Sequence, residues 1–398
     1  MNDYPSIVKA FLEFYGGSAE DVRVFTAPGR VNLIGEHTDY NGGFVFPAAI
    51  CYASTIAVRR RKDGSRTIRL AATDLPDRVT VDLDNPEASR SLRWGNYQAG
   101  VVDVMQKAGY TVSPCDVLYC DEVPLGAGLS SSAAIEVVMA LMLATFSLED
   151  AGLSQPVDMI EIAKLCQQAE NEFCGVRCGI MDQFASAMGR QNHAIFLDCK
   201  SLDFRYVPLE LRGYKIVIGN TRKKRSLAES KYNERCAECS KALEQLKIAL
   251  PDITCLRDVS VDAFEDSKML ISDEVCRIRA EHVIYECDRV LKSVEALNNG
   301  DLQAFGCLMT ASHISLRDLY EVTGLHLDTM VEESLKIDGC IGSRMTGAGF
   351  GGCTVSIVRE ECVDEFIGTV GAHYEERTGI RPDFYVSGAC DGAREILL

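Results

Sequence analysis

The sequence has 398 residues, 47% apolar and 25% charged, with a net charge of −17 and a pI near 4.9. That length exceeds what one hydrophobic core supports, so two domains are expected, and the apolar share is enough to offset chain ordering and exclude disorder. The acidic balance excludes non-specific binding to nucleic acid or to an anionic membrane, which relies on Lys and Arg.

The N-terminal Met1-Asn2-Asp3-Tyr4-Pro5 has no basic stretch followed by an apolar one, so no signal peptide is expected and a cytoplasmic protein is. The first unusual segment is Ala27-Pro28-Gly29-Arg30-Val31-Asn32-Leu33-Ile34-Gly35-Glu36-His37-Thr38-Asp39-Tyr40-Asn41-Gly42-Gly43. Arg30 stands beside the strand-like 31–34, then Glu36, His37 and Asp39 crowd into four positions before an Asn-Gly-Gly turn. Such a density of donors and acceptors suits a sugar, whose hydroxyls each need both. A metal site at His37 or a hydrated polar turn fits the same residues.

Residues 115–120 alternate like a strand and lead into Pro124-Leu125-Gly126-Ala127-Gly128-Leu129-Ser130-Ser131-Ser132. Residues 133–146 are then apolar on nearly every face, with Glu136 the one charge, which predicts a buried helix. The run 137–146 is too short to span a bilayer. A helix leaving a Gly/Ser loop offers unpaired N–H groups to an anion such as a nucleotide phosphate. It is not a Walker loop, since no Gly-Lys-Ser/Thr follows, and an ordinary serine-capped helix is the alternative.

A helix is expected over 156–173, capped by Ser154, with Met159, Ile162, Ala163, Cys166 and Phe173 as its apolar stripe. Glu170 falls on that stripe, where a carboxylate is costly unless paired with Arg or Lys or bound to Mg²⁺. In Gly175-Val176-Arg177-Cys178-Gly179-Ile180-Met181-Asp182-Gln183-Phe184, Asp182 is either the cap of a helix over 183–188 or a carboxylate held in a cleft.

A domain boundary is expected within 200–213, dividing the chain into 1–205 and 206–398, and 214–218 then reads as a buried strand. The basic run Arg222-Lys223-Lys224-Arg225 is too short for a nucleic-acid site in so acidic a chain. The seventeen cysteines are expected as reduced, mostly buried thiols, and Cys236-Ala-Glu-Cys239 has no second pair to complete a zinc site. Helices are expected over 279–297 and much of 301–320, and strands over 354–358 and 383–386. Between them Gly342-Ser343-Arg344-Met345-Thr346-Gly347-Ala348-Gly349-Phe350-Gly351-Gly352 implies close backbone approach or positive φ. No internal repeat interrupts this α+β, or mixed α/β, reading.

Together these glycine-rich segments resemble the three motifs of the GHMP kinases, and 29–43 resembles the galactokinase signature. Gly-Ile-Met-Asp-Gln and Ser230-Lys231-Tyr232-Asn233-Glu234-Arg235 match in the same order, from about residue 24 to 390. The resemblance implies a two-domain fold with the active site between the domains. It implies that Glu36, His37, Thr38 and Asp39 bind a sugar, with Tyr232 and Gly179 completing the pocket. Gly126, Ala127, Gly128, Leu129, Ser130, Ser131 and Ser132 would wrap the phosphates of ATP, and Ser132 and Glu170 would hold Mg²⁺. Asp182 would face the sugar O1 with Arg30 beside it. The activity implied is ATP-dependent phosphorylation of galactose at O1, with no nucleic-acid, membrane or obligate protein partner. A kinase of N-acetylgalactosamine, galacturonate or arabinose, or a galactose sensor without turnover, are the rival readings.

Overall fold

The computed structural model describes residues 4–92, 94–124, 126–176, 178–223 and 228–397. Residues 1–3, Leu125, Arg177, and Lys224 and Arg225 of the basic run lie outside the described residues.

Three sheets organise the described residues. In the first, the order is Arg394–Ile396, Arg23–Asn32, Pro47–Arg60, Cys115–Asp121, Thr67–Ala72 and Leu75–Asp82. All pairings are antiparallel except Thr67–Ala72 with Cys115–Asp121. Arg23–Asn32 is buried at every position but its first, which requires cover on both faces. Its register against Pro47–Arg60 slips between Pro28 and Arg30, a bulge at Gly29. A Cβ on Gly29 would lie 2.5 Å from the Leu129 carbonyl oxygen. Glycine therefore lets the 126–132 loop lie against the strand, where Arg30 N donates to Leu129 O at 3.0 Å.

The second sheet, entirely antiparallel, has the order Cys340–Thr346, Cys353–Arg359, Tyr214–Asn220 and Asp383–Ser387. The third is Phe44–Val45, His193–Asp198 and Phe204–Pro208. Sheets and helices occur in both halves, so the fold is of the α+β, mixed class.

The helix Ser131–Asp150 is the one helix among the described residues long and apolar enough to cross a membrane, and 67% of that window is buried inside the protein. Two helix starts differ from the sequence reading. The helix expected from 156 begins at Met159, and its cap is Asp158 rather than Ser154, the Asp158 carboxylate accepting from the N–H groups of Ile160 and Glu161. An ionised acceptor satisfies two orphan donors of the first turn at once. The helix expected at 279 begins at Glu274, because Asp273 caps it in the same way, and it runs to Asn298. Regular α-helix also ends at Gln168, and Ala169–Cys174 continues as a π-turn, a form that recurs at functional sites. The thiol expectation is corrected at one pair: Cys51 and Cys390 form a disulfide across 339 residues. It joins the strand Pro47–Arg60 to the segment that precedes the last strand.

Candidate active site

A cavity of about 330 Å³ lies where these elements converge, lined among others by Arg30, Glu36, His37, Asp39, Glu170, Gly179, Asp182, Tyr232, Asn233, Gly347 and Ala348. It is of a size for one small ligand.

Arg30 follows the bulge, and its side chain is only 4% exposed. Its Nε and Nη2 donate to the two oxygens of Asp182 at 2.8 and 2.9 Å, and its Nη1 to the Gly128 carbonyl at 2.7 Å. Asp182 sits in the first turn of the helix Met181–Met188, whose cap position is Ile180, so the capping alternative for Asp182 falls. Ser130 supplies a third donor to the carboxylate, Oγ to Oδ2 at 2.6 Å.

That last bond decides the nature of the preceding loop. Ser130 occupies the cap position of the helix Ser131–Asp150, in the left-handed region at φ 61°, and its side chain makes no capping bond. The first i→i−4 bond is Ala134 N to Ser130 O. The N–H groups of Ser131, Ser132 and Ala133 thus precede the helical ladder at its positive end, without the serine cap that was the alternative. Ala127, Leu129 and Ser130 are buried, Gly128, Ser131 and Ser132 half-buried and Gly126 exposed.

Glu170, on the π-turn, is buried and has no Arg or Lys partner among the described residues. Gln183 Nε2 donates to it at 2.6 Å and to Glu136 at 3.2 Å. Burial pushes the Glu170 carboxyl up to about 7, the Asp182 charge adding to the shift, while Cys178, Gln183 and Ser132 pull the other way by hydrogen bonding. Burial and the neighbouring Glu170 push Glu136 well above the usual carboxylate range. Among the described residues, then, the neighbour of Glu170 is a second carboxyl group rather than the Arg or Lys of the ion-pair alternative. Two buried carboxyl groups beside a serine hydroxyl form a hard-oxygen donor set, which fits Mg²⁺. No group of three His, Cys, Asp or Glu side chains among the described residues could hold a metal unaided. Further ligands would have to be substrate oxygens or water, which is how Mg²⁺ is commonly held beside phosphates.

Across the cavity, Glu36 is 2% exposed, with Oε1 accepting from Gly347 N at 2.9 Å and Oε2 facing Arg344 Nη2 at 2.8 Å. His37 is buried with φ 62°, a strained position for a residue with a side chain. Its Nδ1 is bonded to the Tyr40 hydroxyl at 2.9 Å, and that hydroxyl to Tyr320 at 2.8 Å. Burial lowers His37 to about 3, so the ring is neutral at pH 7. Burial raises Asp39 to about 7, reinforced by the charge of Asp182. A Cβ on Gly179 would lie 1.9 Å from Asp39 Oδ2, so only glycine lets that carboxylate occupy its place. The Tyr232 ring stands 5.0 Å from Tyr40 and 5.7 Å from His37.

Thr38 is the exception. It does not line the cavity, and its hydroxyl points at the carbonyls of Gly35 and Phe44, at 2.9 and 2.7 Å. Its place is in holding the loop rather than contacting a ligand. The sequence reading also left Arg344, Gly347 and Ala348 without a role. The run 342–352 brings Gly347 and Ala348 to the cavity wall and Arg344 to the Glu36 carboxylate behind it, and its five glycines were the available signal.

Three family models match the chain: the galactokinase galactose-binding signature over residues 9–60, the GHMP kinases N terminal domain over 96–190 and the GHMP kinases C terminal model over 293–376. The galactokinase of Clostridium acetobutylicum is 49% identical over 375 residues, 94% of this chain and 94% of its own length. That of Bacillus subtilis is 46% identical over 383 residues, 96% of each. The crystal structure of Lactococcus lactis galactokinase complexed with galactose superposes with a TM-score of 0.93 at 41% identity, covering 99% of this chain and 100% of that one. A mevalonate kinase from Methanococcus jannaschii, at 20% identity and a TM-score of 0.63, shares the fold, covering 92% of this chain and 98% of its own.

Proposed function

Because this chain belongs to the galactokinase family of GHMP kinases, we propose that it transfers the γ-phosphoryl group of ATP to O1 of α-D-galactose. The products are galactose 1-phosphate and ADP, and the reaction is the first step of the Leloir route. One observation carries the reading above all: Arg30 and Ser130 converge on Asp182 in the wall of a small cavity, beside a helix N-terminus whose cap serine is turned away from capping.

In this assignment Asp182 faces the sugar O1 and either accepts its proton or orients it. Arg30 fixes both carboxylate oxygens and places a positive charge beside the reacting groups. Residues Gly126, Ala127, Gly128, Leu129, Ser130, Ser131 and Ser132 take the ATP phosphates, the helix N–H groups supplying donors without a basic loop. Ser132 and Glu170 hold Mg²⁺, which when bound neutralises phosphate charge. Glu36, His37 and Asp39 bind galactose hydroxyls, with Tyr232 and the Gly179 backbone closing the pocket. Because the transition state of phosphoryl transfer is loose, alignment and charge neutralisation supply most of the acceleration.

The chain divides near 205/206 into an N-terminal half that carries the sugar signature and the phosphate loop and a C-terminal half that supplies Tyr232, Asn233, Gly347 and Ala348. The last strand returns to the first sheet. We place the enzyme in the cytoplasm, with galactose and ATP as its partners. The test is ADP release from Mg-ATP with galactose, 2-deoxygalactose, N-acetylgalactosamine, galacturonate, arabinose and glucose. Turnover on galactose, with poor use of the acetylated and C4-epimeric sugars, is expected. Galactose and ATP binding without ADP release on any sugar would replace the kinase with a sensor.

A further inference from the structure

The run 342–352 touches the cavity at Gly347 and Ala348, and behind the cavity wall it carries a residue that the proposed machinery does not use. Arg344 has 0% of its side chain exposed, the largest fully buried side chain of the described residues. It lies on Cys340–Thr346, an edge strand of the second sheet, and reaches the end of the strand Arg23–Asn32 in the first. Its Nη1 donates to the Asn32 carbonyl at 2.7 Å, and its Nη2 stands 2.8 Å from Glu36 Oε2. Thr346 of the same strand secures the register, its Oγ accepting from Asn32 N at 2.9 Å. Gly347 N, next along, takes the other oxygen of Glu36.

We infer that Arg344 is a positioning residue for the sugar site, which holds the buried Glu36 side chain as an aimed carboxylate and so as a hydrogen-bond acceptor for a substrate hydroxyl. The inference rests on the reading of the cavity as a galactose site. A carboxylate this deeply buried is costly unless a cation and hydrogen bonds compensate it. Burial pushes the Glu36 carboxyl up, and Arg344 is the foremost opposing charge, followed by Arg30.

Among the described residues the other groups around Glu36 offer no replacement cation. Its neighbour His37 and the facing His282, of the helix Glu274–Asn298, are both held neutral by burial, at about 3 and about 4. His282 Nε2 meets the Glu36 carbonyl at 3.1 Å, not the carboxylate. Glu286, of that same helix, accepts from the Gly35 and Glu36 N–H groups at 2.9 and 3.3 Å, and its charge is matched by Arg289 at 2.6 Å. Asp39 adds a like charge. Arg30 is committed to Asp182 and Gly128. Without Arg344, then, the foremost charge opposing the burial shift is gone, and Glu36 is pushed further toward its protonated form, which presents an O–H where the sugar needs an acceptor.

The experiment is steady-state kinetics of the full chain with galactose and Mg-ATP between pH 6 and 9, for the wild type, Arg344→Lys, Arg344→Met, Glu36→Gln and the Glu36→Gln/Arg344→Met double variant. For Arg344→Met the galactose KM is expected to rise about 10-fold or more at pH 7, the size of one hydrogen bond to a charged group. The KM for Mg-ATP changes far less. The galactose defect shrinks as pH rises and Glu36 regains its charge. It is pH-independent in Glu36→Gln, adding Arg344→Met to Glu36→Gln costs much less than it does alone, and Arg344→Lys recovers part of the loss. A galactose KM that stays near wild type in Arg344→Met, or a defect equal at every pH and shared by both substrates, overturns the inference and leaves the kinase reading standing. Should the Met variant fail to fold, the Lys variant is decisive: a galactose KM without added pH dependence overturns the inference. A wild-type protein that does not turn over galactose overturns both.

Discussion

Replacing Asp182 by Asn isolates the centre of the proposed site, because it keeps the side-chain volume and removes the charge and one acceptor. The carboxylate receives three donors, Arg30 Nε at 2.8 Å, Arg30 Nη2 at 2.9 Å and Ser130 Oγ at 2.6 Å. The amide can offer its oxygen to one arm of the guanidinium, but its NH₂ then faces the other arm, donor against donor. Ser130 can turn to accept, so the net loss is about one charge-assisted bond, about 1.5–3 kcal/mol. Arg30 is also left without its counter-charge. Its head is buried but the Asp182 side chain is 31% exposed, so the stability cost falls below the roughly 3–5 kcal/mol of a fully buried pair. The catalytic loss is larger, since the amide can neither accept the O1 proton nor orient it with a full charge: we expect turnover to fall at least ~10²-fold, the low end for a positioned acid–base group, or about 2.7 kcal/mol of barrier. The assay is ADP release at saturating galactose and Mg-ATP, with thermal melts to verify the fold and calorimetry to verify that both substrates bind. A folded variant that binds both and turns over within a few-fold of wild type would refute the assignment of Asp182 and the argument from its donors.

Glu170→Gln removes the carboxylate assigned to the metal and should raise the Mg²⁺ concentration for half-maximal activity about 10-fold or more, at the typical loss for a hydrogen bond to charge, while galactose binding measured without nucleotide is unchanged. In the wild type the same Mg²⁺ requirement should grow as pH falls through about 7, where Glu170 takes up a proton that competes with the metal. Gly179→Ala places a Cβ 1.9 Å from Asp39 Oδ2; the carboxylate must move, and the galactose KM should rise with little change in that for Mg-ATP. Asp39, raised to about 7, is protonated below that pH and an acceptor-only carboxylate above it. Galactose affinity by calorimetry should therefore weaken as pH drops from 8 to 6, and Asp39→Asn should flatten that slope.

Much of the site was legible along the chain because its parts are local. The sequence 124–132 into an all-apolar run announces a loop feeding a buried helix, and Glu36, His37 and Asp39 are neighbours by covalent connection. Helix and strand periods also survived well, as in Cys353–Arg359 and Asp383–Ser387. Helix starts were less legible, because Ser154, Asp158 and Asp273 are all competent caps and only three-dimensional packing selects among them. The same limit applies to Ser130: its residue type suggests a cap, and it takes a different partner 52 residues away.

What the sequence alone determined is therefore the inventory of chemistry and its local spacing: a carboxylate-rich sugar loop, a glycine–serine phosphate loop, and an aspartate after paired glycines. Tertiary structure decided which groups meet. It joined Arg30 to Asp182 across 152 residues and Arg344 to Glu36 in the loop after the strand Arg23–Asn32, set Glu170 beside Glu136 with no cation among the described residues, and turned Thr38 away from the cavity. The physical reason is that a charge's behaviour depends on its distance to other charges and on how far water is excluded, and both are properties of the folded packing rather than of order along the chain.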